Sequence, residues 1–564
     1  MKQKNSSLGL VLMAFAGVAA AQNNAAPTAP TVGELQRQIA PEQPSALPQL
    51  QVKPTRIEKP TAPATGAKMV TVTRWELQGN KILSTAQLEL ALTPFTGVAM
   101  SMVQLNEASA LVQQTYEEAG YLARVVLPKQ DVTDGIVRLQ ILEAQLSRIV
   151  LDPDATSRVN MQRVQRVITQ QHPLGQALSS KQLDRALLLA DDMPGVSLAG
   201  MLQAGSAEGS TDLLLKTTEE PPHAIDVSMD NTGARAVGAE KLNLAANFTS
   251  PFGGAETFSF QGQRSEGSQY GRVALGLPLG YSGLRASAFA SLLDYQVVAP
   301  EFKNSRLTGR SKTHGIDLNY PLLRSRQANI FATAQLEERT YNAWASDVVN
   351  PDGWYKINAL QYGLNANAFD TFGGGGASSL GLQIIRGEVR GDAVGFTPSR
   401  EVFYSKLRLN ASRQQTLADN MTLYAAVQAQ YTPETKLDSA ENMSLGGSAG
   451  VRAYPSGEAS GPIGQLVNIE LRWRINPEWL LTPFIDWGKV EKRDNTAGGP
   501  EAYVLSGACF GIAWSGPNGW NANLIYARRL GDNPNSKVTE SNQLLDQDGS
   551  RTIDRYWFTL KRNF

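Results

Sequence analysis

The 564-residue chain has one cysteine, Cys509, and three histidines, His172, His223 and His314. A single cysteine excludes an intramolecular disulfide framework and a thiolate metal cluster. No histidine has a second histidine at metal-ligand spacing or a nucleophile placed for a triad. Charge is also scarce: 18% of residues are charged, and 52 basic side chains balance 52 acidic ones. A chain held to nucleic acid by phosphate contacts needs a basic excess, so nucleic acid is not expected as a partner. No long apolar run follows residues 8–20, and the mean hydropathy of -0.25 excludes a helical multi-pass membrane protein. A membrane β-barrel stays open, because its strands average a polar and an apolar face. Phosphate-binding loops are missing too. Gly373-Gly374-Gly375-Gly376 lacks the Lys-Ser/Thr ending and the following helix. No catalytic residue, cofactor site or metal site is therefore expected, and the chain does not read as an enzyme.

What is present begins with an address. Lys2 and Lys4 precede the apolar run 8–20, and Ala19-Ala20-Ala21 places small side chains before Gln22. This order predicts a secretory signal peptide over residues 1–21, since the run falls short of the ~20 residues a spanning helix needs. Residues 22–69 follow as a linker punctuated by prolines from Pro27 to Pro63, which cannot build a core. One island differs. Thr31 and Glu34 make a capping box, and Leu35 and Ile39 share a helix face. The island reads as a frayed helical turn or a small docking helix, and the turn is slightly favoured.

Two similar units come next, over residues 70–144 and 145–220. In the first, residues 70–77 read as a strand. Ser84 with Gln87 and Ser101 with Gln104 cap two helices, the second carrying Leu105, Ala108, Val112 and Tyr116 on one face. Gly120 stops it, and two strands over 121–127 and 136–142 close the unit. The order strand, helix, helix, strand, strand then recurs. Val164, Val167 and Ile168 mark one helix, and Ser179 caps another whose face is Leu183, Ala186, Leu187 and Ala190. Each unit predicts a three-stranded sheet under two helices, an α+β fold with an open sheet edge.

After Pro221-Pro222 helical periodicity gives way to alternation. Val467, Ile469, Leu471, Trp473 and Ile475 interleave with Asn468, Glu470, Arg472 and Arg474. Leu242, Leu244, Ala246 and Phe248 repeat the pattern, as do Leu423, Ala425, Val427 and Tyr431. A soluble sandwich also alternates. Here the polar face often carries full charges, as a water-filled lumen would. Aromatics gather at segment ends, at Trp354-Tyr355, Trp479, Trp514, Trp520 and Tyr556-Trp557, as in interfacial girdles. Tyr556, Phe558, Leu560 and the last residue, Phe564, share one parity. Turn signals divide residues 224–564 into about 16 segments, the even number a single-chain bacterial barrel requires. The expected fold is a transmembrane antiparallel β-barrel of about 16 strands, preceded by two small α+β domains.

Particular stretches carry a resemblance. They include Tyr116-Glu117-Glu118-Ala119-Gly120-Tyr121, Leu127-Pro128-Lys129-Gln130-Asp131 and Asp230-Asn231-Thr232-Gly233. They also include Val451-Arg452-Ala453-Tyr454 and Phe484-Ile485-Asp486-Trp487-Gly488. With these the chain resembles the two-partner-secretion outer-membrane transporters of the Omp85 superfamily. Those proteins secrete haemolysins and filamentous adhesins, and combine periplasmic POTRA domains with a C-terminal barrel. The resemblance implies that the two α+β units are POTRA domains. It also implies that residues 440–462 fold back into the lumen, with Val451, Arg452, Ala453 and Tyr454 at the tip. Ala453 replaces the family's usual glycine, and a positive φ there would strain it modestly. The alternation puts Phe484, Asp486 and Gly488 on one strand face and Ile485 and Trp487 on the lipid side, so Asp486 points inward. The family pairs the positions of Arg452 and Asp486, and a guanidinium in a narrow lumen needs such a bidentate partner. Phe564 matches the C-terminal signal by which outer-membrane barrels are taken up by the assembly machinery. The family also carries a plug helix, which the island at 31–39 falls short of.

The resemblance implies a transporter in the outer membrane of a Gram-negative bacterium, with POTRA domains in the periplasm. They would capture an unfolded exoprotein by strand addition and pass it through the barrel without ATP. The partner would be a large β-helical adhesin, cytolysin or contact-dependent toxin. An outer-membrane assembly insertase and a diffusion porin with appended domains are the alternatives.

Overall fold

The computed structural model describes residues 31–39, 69–207, 209–300, 307–344, 353–392, 401–493, 501–538 and 544–564. The expected signal peptide and most of the linker lie outside the described residues. The capped island is helix α1 (Val32–Ile39), and its capping box forms: Glu34 N donates to Thr31 Oγ1 at 3.3 Å and Thr31 N to Glu34 Oε2 at 2.9 Å.

In the first α+β unit, strand Arg74–Gln78 pairs in parallel with Ile136–Glu143, which pairs antiparallel with Ala123–Val126. Helices α2 (Thr85–Leu92) and α3 (Met102–Glu118) cover the sheet, and both expected capping boxes are made. Leu88, Leu92, Leu105, Val112 and Tyr116 pack on Val137, Leu139 and Ile141. The single strand expected over 70–77 is split. Val70–Thr71 leaves the sheet to pair with Ala99–Met100, because Thr73 N bonds Gly135 O across the turn.

The second unit repeats the plan. Gln145–Leu151 pairs in parallel with Ser210–Glu219, and Val196–Ala204 lies on its other side. Helices α4 (Met161–Gln171) and α5 (Ser180–Asp191) cover it. The buried face of α5 is Leu183, Ala186, Leu189 and Ala190; Leu187 is only half-buried, above Gly200 at the rim of the sheet. His172 is a buried acceptor for Ser179 N at 3.1 Å, which fixes the helix start rather than any chemistry.

The rest closes into a barrel of sixteen antiparallel strands. The first eight are β1 (His223–Asp230), β2 (Lys241–Thr249), β3 (Thr257–Arg264), β4 (Ser268–Pro278), β5 (Arg285–Gln296), β6 (Thr308–Arg324), β7 (Ala328–Trp344) and β8 (Gly353–Asp370). The others are β9 (Gly376–Asp392), β10 (Val402–Ala418), β11 (Met421–Tyr431), β12 (Ile463–Arg474), β13 (Trp479–Glu491), β14 (Ala502–Ser515), β15 (Trp520–Arg529) and β16 (Asp554–Asn563). β16 meets β1 over Thr559–Asn563 and so leaves no free edge, as a lipid setting demands. Alternation sorts the two faces. Ile469 and Trp473 are 47% and 45% exposed, while Asn468 and Glu470, on either side of Ile469, are each 9% exposed. Two aromatics expected in girdles face inward instead. Tyr355 and Trp557 are buried in the lumen, because each sits one residue from an outward neighbour, Trp354 or Tyr556. The inward connection begins earlier than expected: Leu437 already packs with Tyr341, Tyr355 and Ala440 inside the barrel.

Among the described residues no helix is long and apolar enough to cross a membrane. The lipid-facing surface belongs to the strands.

Candidate functional site

The tip of the inward loop lies on the wall made by β12, β13 and β14. Gly488 permits the approach: a Cβ there would sit 2.8 Å from Leu445 Cδ2 and 3.3 Å from Val451 Cγ2. Val451, Ala453 and Tyr454 are fully buried among Leu445, Leu466, Phe484, Leu505 and Ala527. Ala453 has no positive φ, so the strain conditionally expected from losing the usual glycine does not arise. Its methyl faces Gly507, where a second Cβ would approach to 2.7 Å.

Arg452 and Asp486 meet. Arg452 donates Nε to Asp486 Oδ2 at 2.9 Å, Nη2 to Oδ1 at 2.7 Å, and its backbone N to Oδ2 at 3.0 Å. The pair is bidentate, and Asp486 is wholly buried. A buried charge pair holds only when its remaining valences are filled. Here they are. Arg452 Nη1 reaches Glu470 Oε1 at 2.9 Å, and Asn468 Nδ2 donates to Asp486 Oδ1 at 2.8 Å. Cys509 Sγ donates to Oδ2 at 3.8 Å, and the guanidinium lies 3.3 Å over the Phe484 ring. Trp557 Nε1 donates to Arg452 O at 2.8 Å, which pins the backbone. Asp486 therefore holds the loop by both its side chain and its main chain.

The two flanks of the loop are held separately. On the ascending flank, Asp438 caps the short turn Ser439–Glu441, with Ala440 N donating to its Oδ1 at 2.8 Å. Glu441 is buried between Arg339 of β7 and Lys406 of β10, with Lys406 Nζ 2.5 Å from its Oε2. The two cations overcome burial and hold the Glu441 carboxyl well below the usual carboxylate range. On the descending flank, Glu458 accepts from Asn535 Nδ2 at 2.7 Å and from Gln547 N at 2.9 Å. Burial, with Asp546 nearby, pushes its carboxyl up to about 7.

Helix α1 seats on the ascending flank, inside the lumen. Thr31 Oγ1 is 2.7 Å from Ser439 Oγ, and Arg37 donates to Asn442 O and to Ser444 Oγ. Gln36 Nε2 donates to Thr313 Oγ1 of β6 at 2.8 Å. Leu35 is fully buried in a cluster with Tyr341, Tyr355, Ile357, Tyr404, Leu437 and Ala440. The frayed-turn reading is thus overturned. Eight residues suffice because the lumen supplies the contacts an isolated helix lacks.

The structure gathers Val451, Arg452, Ala453, Tyr454, Phe484, Asp486 and Gly488 at one place. Phe564 is elsewhere, at the seam, where its N donates to Ile225 O at 2.8 Å. Glu470, Asn468, Trp557, Glu441, Arg339 and Lys406 were not singled out from sequence. Strand parity alone would have turned Asn468, Glu470 and Trp557 inward. For Glu441 no local signal exists. Among the described residues no group of His, Cys, Asp and Glu is arranged to hold a metal ion.

Known proteins share this plan. The chain is 23% identical over 438 residues to the outer membrane transporter CdiB of Escherichia coli O6:K15:H31, covering 74% of this chain and 71% of that one. It is 23% identical over 481 residues to the heme/hemopexin transporter protein HuxB of Haemophilus influenzae, covering 81% and 83%. The solved structure of CdiB from Escherichia coli superposes with a TM-score of 0.69 at 20% identity, covering 90% of this chain and 93% of that chain, and so shares its fold. Residues 70–144 match the POTRA domain of ShlB type. Residues 209–514, more than half of the sequence, match the haemolysin secretion/activation proteins ShlB/FhaC/HecB, and the chain belongs to that family.

Proposed function

We propose that the chain is an outer-membrane transporter that secretes a partner exoprotein. Its two POTRA domains receive the unfolded partner in the periplasm, and the barrel passes it to the cell surface without ATP. One observation carries the reading: a sixteen-stranded barrel, wide enough for an aqueous channel, is filled by its own loop 432–462 and by α1. A filled lumen suits a gated conduit for a large, occasional substrate and argues against a steady diffusion porin. Two POTRA domains and the family match support secretion over membrane-protein assembly. The sequence holds no phosphate-binding loop, so the driving force is the partner's binding and its folding outside. The partner is an adhesin, a cytolysin or a contact-dependent toxin. Arg452 and Asp486 set the resting position of the loop, and Phe564 marks the barrel for the assembly machinery.

The test is co-expression with a candidate partner exoprotein in a Gram-negative host lacking both. Appearance of the exoprotein in the medium, dependent on this chain, is expected. Retention of the exoprotein in the periplasm, with the barrel correctly inserted, would refute the reading.

A further inference from the structure

Where the second POTRA domain meets the periplasmic turns of the barrel, a cavity of about 400 Å³ stays open. Part of its lining is apolar, with Val167, Leu189 and Met193 from the domain and Leu284 and Phe331 from the barrel. Its charged lining residues are Arg163, Arg285, Arg324 and Asp192, three cations to one anion. Asp192 is already committed: Arg324 Nε and Nη2 each reach it at 2.8 Å. Arg163 of α4 and Arg285 of β5 are left without a carboxylate.

Both guanidinium groups are half-buried and poorly paired among the described residues. Arg163 donates through Nη2 alone, to Pro278 O at 3.0 Å and Gly280 O at 3.3 Å, and its Nε is buried without a partner. Arg285 reaches one carbonyl, Ala255 O, from Nη1 and Nη2 at a long 3.4 Å. Its charged neighbours include Arg163 and the occupied Asp192. Exposed Arg166 adds a further cation beside them, since it and Arg163 lie 5.6 and 5.5 Å from the centre of the Tyr281 ring. Cations gathered in a partly apolar cleft are costly until an anion completes them. A second unfilled valence lines the same cavity. Asn319 Oδ1 is buried without a hydrogen-bond partner, and an acceptor so placed calls for a hydroxyl.

We propose that this cavity is a binding site for a phosphate group, held between Arg163 and Arg285 at the joint of the second POTRA domain and the barrel. The inference does not depend on what the barrel secretes. A carboxylate spends both oxygens on one guanidinium, whereas a phosphate has oxygens enough to bridge two. Its ligand also supplies the hydroxyl that Asn319 Oδ1 lacks. A protonated oxygen of inorganic phosphate does so, and so does the glycerol of a phosphatidylglycerol headgroup. The apolar lining suits the glycerol backbone of a lipid, while free phosphate would leave it wet. Bound there, the phosphate ties α4 to β5 and fixes the domain at the mouth by a contact that neither side makes alone.

The test is native mass spectrometry of the purified, delipidated full chain. The probes are inorganic phosphate and dioctanoyl phosphatidylglycerol, with dioctanoylglycerol as the phosphate-free control. The variants are Arg285→Gln and Arg163→Gln, beside Arg310→Gln at the far end of β6, which is paired with Asp294 away from the cavity. Heat-modifiability on gels confirms that each barrel is folded. One saturable adduct per chain is expected with at least one of the two phosphate probes. Its affinity should fall about tenfold in Arg285→Gln and in Arg163→Gln, as the loss of one charge-assisted contact implies, and stay unchanged in Arg310→Gln. Binding of phosphatidylglycerol that inorganic phosphate does not displace supports the site with a lipid headgroup as its source. Displacement by inorganic phosphate supports it with free phosphate as the source. No saturable adduct with either probe overturns the site. So does equal binding of dioctanoylglycerol, or an affinity that neither cavity variant changes.

Discussion

Asp486 carries more of the loop than its partner does, because it accepts from both the side chain and the main chain of residue 452. Arg452→Ala leaves Asp486 buried without its cation, while Glu470 keeps Arg472, a loss of about 3–5 kcal/mol in local stability. Arg452→Lys keeps the charge but not the fork, so it should recover only part of that loss. Single-channel recordings check this: flickering openings should lengthen in the order wild type, Lys, Ala, while the folded barrel persists. Glu458 predicts a pH effect. Its carboxyl is raised to about 7 in the folded protein, against an ordinary 4.5. Below pH 4.5 the group is protonated in both states and the contact is at full strength. Between 4.5 and 7 the freed loop ionises first, so stability is lost as pH rises, to a ceiling on the order of 3 kcal/mol. Hydrogen exchange around Glu458 should therefore be slower at pH 5 than at pH 8 after correction for intrinsic rates. Glu458→Gln should remove that difference. At this scale the sequence was readable where a motif had parity behind it, as at Arg452 and Asp486. It was silent at Glu441, whose two cations come from strands 102 and 35 residues away.

Elements were legible in proportion to how local their cause is. The capping boxes at Ser84 and Ser101 and the alternating strands need only neighbours a few residues apart, and they form as read. Helix α1 shows the opposite case. Eight residues between prolines have too little propensity to form a helix alone, and only the loop and the wall of β6 and β7 make one. Its hold is therefore tertiary and breakable. Leu35→Ala removes a fully buried side chain, at about 2–5 kcal/mol, comparable to everything an eight-residue helix gains by docking. The expected outcome is an undocked helix: raised mean conductance in bilayers and new protease cleavage within 31–39, with Arg452 still seated. Unchanged conductance and protection would mean the helix does not close the channel.

In the whole molecule, the second POTRA domain is bolted to the barrel, so the mouth of the lumen has a fixed wall. Arg163 Nη2 donates to Pro278 O at 3.0 Å, and Arg185 Nη2 to Pro321 O at 2.7 Å. Arg324 holds Asp192 with two bonds of 2.8 Å. The two POTRA domains are joined in turn by backbone bonds, Leu122 N to Leu178 O at 3.1 Å and Leu178 N to Ala144 O at 2.8 Å. None of this was visible in sequence, because the contacts depend on which periplasmic turns face α4 and α5. Any one of these half-exposed bonds is worth only ~1 kcal/mol, so single substitutions should be nearly silent. Arg163→Ala, Arg185→Ala and Arg324→Ala together remove these three contacts and leave Arg166 on Tyr281 and Asn160 N on Gly253 O. The combined variant should let the POTRA pair swing, seen as a broadened spin-label distance between α4 and the turn before β5. Secretion should fall severalfold while conductance and barrel heat-resistance stay at wild-type values. A narrow distance distribution with normal secretion would show that the remaining contacts, such as Arg166 with Tyr281 and Leu189 beside Gly283, suffice to fix the domain at the mouth.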